Sequence, residues 1–151
     1  MDLSIARLGD AERRSPLALS TARGDRFCNF VTDDERVLYR VVTGGDASRT
    51  DDSFERAGPR EHIYFDPKAL RAGLVTCGGL CPGTNTVIRT AVMELAYGYG
   101  VPEIYGFRYG FAGLVHGSGH EPVELSPGVV DDIHHRGGSI LGSSRGPQDV
   151  A

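Results

Sequence analysis

Cys77-Gly78-Gly79-Leu80-Cys81-Pro82-Gly83-Thr84-Asn85 separates two segments with different periods. Before it, the apolar run at 72–76 reads as a buried strand. After it, Val87, Ile88, Ala91, Val92 and Leu95 recur at close to the helical period. That spacing predicts a helix over 86–97, with Asn85 as its N-cap and Gly98 and Gly100 as its stop. A strand, a glycine turn and a helix start, in that order, make a phosphate-binding arrangement. Glycines let the backbone approach an anion, and the helix N-terminus offers unpaired N–H groups at the positive end of a dipole. The loop is not a Walker P-loop, because no Lys-Ser or Lys-Thr follows Gly83. It also lacks the spacing of a dinucleotide fingerprint and the acidic residue about 20 positions on.

Working outward, Glu103–Phe107 reads as a second strand, followed by the glycine-rich turn Tyr109-Gly110-Phe111-Ala112-Gly113. Ser126-Pro127 supplies an N-cap and an N1 proline for a short helix over 129–136, closed by Gly137-Gly138. Ser139-Ile140-Leu141-Gly142-Ser143-Ser144-Arg145-Gly146 is a second loop of small residues, and it carries an arginine. Strand, helix, strand and helix are the start of a doubly wound, Rossmann-like α/β three-layer sandwich. Such sheets bind ligands at the carboxyl ends of their strands, where both glycine loops fall. From residue type alone, Arg145 is either a phosphate ligand or an exposed surface cation.

The chain before this region is different in kind. Residues 1–24 are polar and arginine-rich without a period, and a mobile arm is expected there. Phe27, Phe30, Val31, Val37, Leu38 and Tyr39 surround the turn signal Thr32-Asp33-Asp34-Glu35, which suggests two short strands or a strand and a bend. Residues 43–60 have loop composition, 62–65 form a short extended candidate, and Asp66-Pro67 opens a helical turn. The expected division is an irregular N-terminal extension with short strands over 1–70 and an incomplete α/β domain over 71–151.

Composition narrows the classes of function. The net charge of −4 argues against a nucleic-acid partner. No apolar run approaches the roughly 20 residues of a membrane span, and the N-terminus lacks a signal-peptide pattern. Cys28, Cys77 and Cys81 cannot all pair. Cys77 and Cys81 do not have zinc or redox spacing, so partly buried thiols and a reducing, cytoplasmic setting are expected. His116 and His120 flank Gly117-Ser118-Gly119 without an evident third ligand, so no metal site is expected. His134 and His135 are adjacent and are expected on different faces of their helix, which Asp131 and Asp132 decorate. None of these has a catalytic role in this reading.

Residue by residue, 76–85 followed by Val87-Ile88-Arg89 closely resembles the first nucleotide loop of the 6-phosphofructokinases. It is most similar to the plant and protist ATP-dependent type, with Leu80-Cys81 where bacterial enzymes carry Asp-Ala. Phe54-Glu55-Arg56-Ala57-Gly58-Pro59-Arg60 and Ile63-Tyr64-Phe65-Asp66-Pro67 resemble the region before that type's nucleotide domain. Gly106-Phe107-Arg108-Tyr109-Gly110-Phe111-Ala112-Gly113-Leu114 resembles its next glycine turn, and 136–146 its second phosphate loop. The resemblance covers roughly 26–147. It implies transfer of the γ-phosphoryl of ATP to fructose 6-phosphate in glycolysis, with Mg²⁺, in a homo-oligomeric parent.

By the same resemblance, Gly79, beside Gly78, matches the glycine whose N–H meets the transferring phosphoryl group. Arg145, beside Gly146, matches the arginine on the nucleotide phosphates. Phe111 falls where the family has a tyrosine near adenine and lacks its hydroxyl. Arg89 matches an effector contact of bacterial relatives, and a structural ion pair is expected for it here. The family's Gly-Gly-Asp-Gly magnesium segment and its Thr-Ile-Asp-x-Asp catalytic aspartate lie further along than Ala151. The chain is therefore expected to be an N-terminal fragment without turnover or metal ligands of its own. Two alternatives remain: a pyrophosphate-dependent parent and a non-catalytic nucleotide- or phosphate-binding module.

Overall fold

The computed structural model describes residues 3–40 and 52–145. The chain divides into two compact units, Met1–Phe65 and Asp66–Ala151. In the second, β5 (Arg71–Val75) and β6 (Glu103–Phe107) pair in parallel, with Gly73 opposite Tyr105. A parallel pair needs a crossover, and α1 (Thr84–Met93) supplies it. The helix runs on into a wider π-turn over Glu94–Gly98. β7 (Val123–Glu124) adds to β6 antiparallel, giving the order β5-β6-β7. α2 (Pro127–Val130) and a 3₁₀ turn at Ile133–His135 then pack on α1.

The core of this unit is one cluster: Ile88, Val92, Val101, Ile104, Leu125, Val130, Ile133 and Leu141. Gly106 sits against it. A Cβ built there would lie 2.5 Å from Leu141 Cδ2 and 3.0 Å from Leu125 Cδ1, so β6 lacks a side chain where the 141 turn crosses it.

The α/β reading holds, and several details differ. Strand β5 is half-buried at most, because it is the edge of a three-stranded sheet with one neighbour. On α1, Ile88 and Val92 are buried, but Val87 is 70% exposed. The helix is capped by Gly83, at φ 89°, and no side chain caps it. Asn85 lies inside the first turn. β7 was not expected. The short helix expected over 129–136 begins at Pro127 and breaks into a 3₁₀ turn.

In the first unit, β1 (Arg13–Arg14) pairs antiparallel with β4 (His62–Ile63), and β2 (Arg36–Leu38) with β3 (Ser53–Glu55). The described part of the expected arm is thus folded back. Ser15 is buried and its N–H donates to Glu61 O at 2.7 Å. The expected loop over 43–60 contains β3, while its residues 43–51 lie outside the described ones. Among the described residues, Phe30 and Val31 are the buried apolar side chains here. The remainder is tied by arginine–carboxylate pairs. Glu35 meets Arg56 and Arg23, and Glu55 takes both Arg7 and Arg60, at 3.3 and 3.4 Å. In these pairs the carboxylates Glu35 and Glu55 are half-buried, while Arg7, Arg23 and Arg56 reach solvent.

Candidate functional site

Three loops converge at the carboxyl ends of β5 and β6. The first runs from Thr76 to Gly83. Gly78, at φ 83°, turns the chain away from the strand, and its N–H donates to Ser144 O at 3.4 Å. Thr76 Oγ1 donates to Gly142 O at 2.6 Å and lies 3.1 Å from Ser139 Oγ. The first loop is thereby fixed to the third, 137–145. Asn85 extends the join. Its Nδ2 donates to Arg136 O at 2.9 Å, and its Oδ1 accepts from Ile140 N–H at 2.8 Å. At 2% exposure this is a buried amide pinning α1 to the loop. The cap expected of Asn85 is a different use of the same residue type: its side chain faces inward and caps no helix N–H.

The second loop follows β6. Tyr109 stands at φ 60°, and Gly110–Leu114 forms a 3₁₀ turn carrying Phe111, which is 51% exposed. Gly110 packs tightly. A Cβ there would lie 3.0 Å from Thr76 O and 3.3 Å from Ser144 Oγ.

Gly79 and Arg145 meet at the centre of this arrangement. A Cβ on Gly79 would lie 2.8 Å from Arg145 Nη2, so the guanidinium rests where any other residue would place a side chain. Gly79 N–H has no hydrogen-bond partner among the described residues. Arg145 is exposed and forms no ion pair among them. The other arginines of this unit are mostly neutralised: Arg71 by Glu103 at 3.0 Å, Arg89 by Asp131 at 3.6 Å and Arg136 by Asp132 at 2.9 Å. Arg108, which also carries no ion pair among the described residues, directly follows the last residue of β6. An unpaired fork beside an unpaired N–H, near a helix start with no side-chain cap, is a place for an anion.

The other expected residues are placed as follows. Gly78 and Gly79 lie in the first loop, Arg145 ends the third, and Phe111 is on the second. Gly146 lies outside the described residues. Arg89 forms the expected ion pair, and its Nε also donates to Asp131 O. Cys77 and Cys81 are exposed, not partly buried, because the glycines around them leave no bulk to cover a thiol, and Cys28 is exposed as well. His134 and His135 do not diverge. Their ring centroids lie 3.8 Å apart, since the 3₁₀ turn and its exit rotate them together. His120 packs on Tyr109 with centroids 4.7 Å apart. Sequence reading missed Tyr109 and Ser144, which shape the third loop.

No group of three His, Cys, Asp or Glu side chains among the described residues could hold a metal ion. A cavity of about 530 Å³ in the first unit, lined by Arg7, Asp33, Glu55, Arg60 and Tyr64, is a weaker anion site. Its arginines are already engaged by Glu55 and Asp33. No described helix is long and apolar enough to cross a membrane.

The family model described as phosphofructokinase matches residues 71–150. An ATP-dependent 6-phosphofructokinase of Amycolatopsis methanolica is 48% identical over 99% of this chain and 33% of its own length. One of Entamoeba histolytica is 49% identical over 84% of this chain and 28% of its own length. ATP-dependent 6-phosphofructokinase 7 of Arabidopsis thaliana is 47% identical over 80% and 24%. The chain spans between about a fifth and a third of the length of the curated relatives it matches.

Proposed function

We propose, because this chain belongs to the phosphofructokinase family, that its glycine loops hold the phosphate chain of ATP for transfer to fructose 6-phosphate. The observation carrying this reading is the Gly79–Arg145 contact. The N–H and the guanidinium address oxygens of the same phosphate chain. The Gly79 N–H stands on a loop already joined to the third loop through Gly78 and Thr76, so charge developing on the transferred group meets a donor that needs little reorganisation. Phe111 offers an exposed aromatic face for adenine, which favours ATP over pyrophosphate as donor.

The sugar-phosphate site, the base and the Mg²⁺ ligands belong, in this proposal, to the part of the parent enzyme that the relatives have and this chain does not. Mg²⁺ would there neutralise the phosphate oxygens. The parent reaction is the glycolytic step to fructose 1,6-bisphosphate, in a cytoplasmic setting. A coupled assay of the purified chain with ATP, Mg²⁺ and fructose 6-phosphate tests the division. No fructose 1,6-bisphosphate is expected. Sustained formation would contradict it, because the base and the sugar site would then lie within these 151 residues.

A further inference from the structure

Tyr109 carries a backbone conformation that its residue type disfavours. At φ 60° and ψ 39° it is left-handed, and the following Gly110 is also at positive φ. Among the described residues only Arg26 shares this state without being glycine. A bulky residue persists there only where its surroundings over-determine it. They do so here. Tyr109 N–H donates to Leu141 O at 2.8 Å, and its carbonyl accepts from Ser144 Oγ. Its ring covers Gly142, where a Cβ would lie 2.9 Å from Tyr109 Cδ1 and 3.1 Å from Cε1. The His120 ring packs against it as well.

These contacts fix 141–144, the turn that leads directly into Arg145. Ser144 O in turn accepts from Gly78 N–H, one residue before Gly79. We propose that Tyr109 is a positioning residue for phosphate binding: its left-handed backbone and its ring clamp the 141–144 turn so that the Arg145 guanidinium sits against Gly79. It contacts no phosphate and acts through Arg145. Glycine at 109 would adopt the same φ without strain, so the tyrosine is required for its ring and not for its backbone. The inference rests on the reading of Gly79 and Arg145 as the phosphate site.

The test is calorimetric titration of the full chain with ATP and with tripolyphosphate, alongside thermal melts. Tyr109→Gly is expected to weaken both ligands about tenfold, the loss of roughly one well-placed charge-assisted hydrogen bond. Tyr109→Phe keeps the ring and the clamp, and is expected to bind as the wild type does. Ser144→Ala removes the hydroxyl that holds the Tyr109 carbonyl. It is expected to weaken binding in the same direction even if Tyr109→Gly unfolds. A purely structural role would lower the melting temperature without coupling to Arg145. In an Arg145→Ala background, Tyr109→Gly and Ser144→Ala should therefore have no further effect on affinity. Undiminished binding by both variants, or equal losses with and without Arg145, overturns the inference. Absence of binding by the wild type removes the phosphate reading itself and with it the inference.

Discussion

Replacing Asn85 with alanine should loosen the whole nucleotide-loop region, and the size of the effect can be worked from its contacts. The side chain is 2% exposed and makes two hydrogen bonds, to Arg136 O at 2.9 Å and from Ile140 N–H at 2.8 Å. Each neutral bond contributes about 1 kcal/mol net, and a buried group left unpaired costs about 1 kcal/mol or more. Asn85→Ala removes both bonds and orphans the Ile140 N–H, so the total is about 3 kcal/mol. For a unit of this size that lowers the melting temperature by roughly 15 °C. Asn85→Asp sharpens the test. Its carboxylate can still accept from Ile140 N–H, but it turns a second acceptor on the Arg136 carbonyl. A protonated carboxyl would donate there instead, so the folded state binds the proton more tightly than the unfolded state, and this variant gains stability as pH falls. Circular-dichroism melts between pH 7 and pH 4 are the assay. An Asn85→Ala midpoint within about 3 °C of the wild type would refute the reasoning that this amide pins α1 to the 136–140 segment.

The remaining predictions concern packing, charge and the thiols. Gly106→Ala forces a methyl into Leu141 and Leu125, which are buried core side chains, and should cost about 1–3 kcal/mol in a urea melt. Asp25, Asp34 and Glu35 of the first unit are all held below the usual carboxylate range. Asp25 is lowered by the Ser20 hydroxyl and the Phe27 N–H, Asp34 by the Thr32 side chain, and Glu35 by the Thr32 N–H and Arg56. Their contribution is present above the unfolded carboxylate pKa and is lost as pH falls through the depressed values. Below about pH 4 the first unit should therefore lose protease resistance before the second, where among the described residues only the Asp132 carboxyl is similarly lowered, by Arg136. Cys28, Cys77 and Cys81 should all react with a thiol reagent without denaturant, and saturating ATP should slow Cys77 and Cys81 but not Cys28.

The parallel pair and its crossover were legible because each rests on local pattern. The apolar run that begins at Ala72, the helical period from Val87 onward and the strand at Glu103–Phe107 bracket glycines that only a turn could use. β7 was not legible, since two residues are too few to show alternation. The short strands of the first unit were expected, but the order of the described part of the 1–24 segment was not, because it comes from pairings far apart in sequence, Arg13 with Ile63 and Arg7 with Glu55. A polar, arginine-rich segment gives no local sign of such partners. Asn85 was recognised as structural but assigned the wrong partner, because capping and inward latching draw on the same amide. Gly79 and Arg145 were singled out by resemblance, and their contact rests on a tertiary join through Thr76, Ser139 and Ser144 that no spacing reveals. Tyr109 escaped notice because nothing in a tyrosine's identity marks a left-handed backbone.

The central claim is that Gly79 and Arg145 form one anion site. Titration of the chain with ATP at low ionic strength, compared with Gly79→Ala and Arg145→Ala, tests it most directly. Gly79→Ala places a methyl 2.8 Å from Arg145 Nη2, which a flexible guanidinium can leave, so stability should change little while the site opens. Charge-assisted hydrogen bonds contribute about 1.5–3 kcal/mol, so Arg145→Ala should weaken ATP by about 10- to 100-fold, and Gly79→Ala, which keeps its N–H but displaces the guanidinium, should weaken it in the same direction. Wild-type binding that survives both substitutions unchanged, or no wild-type binding at all, would contradict the account.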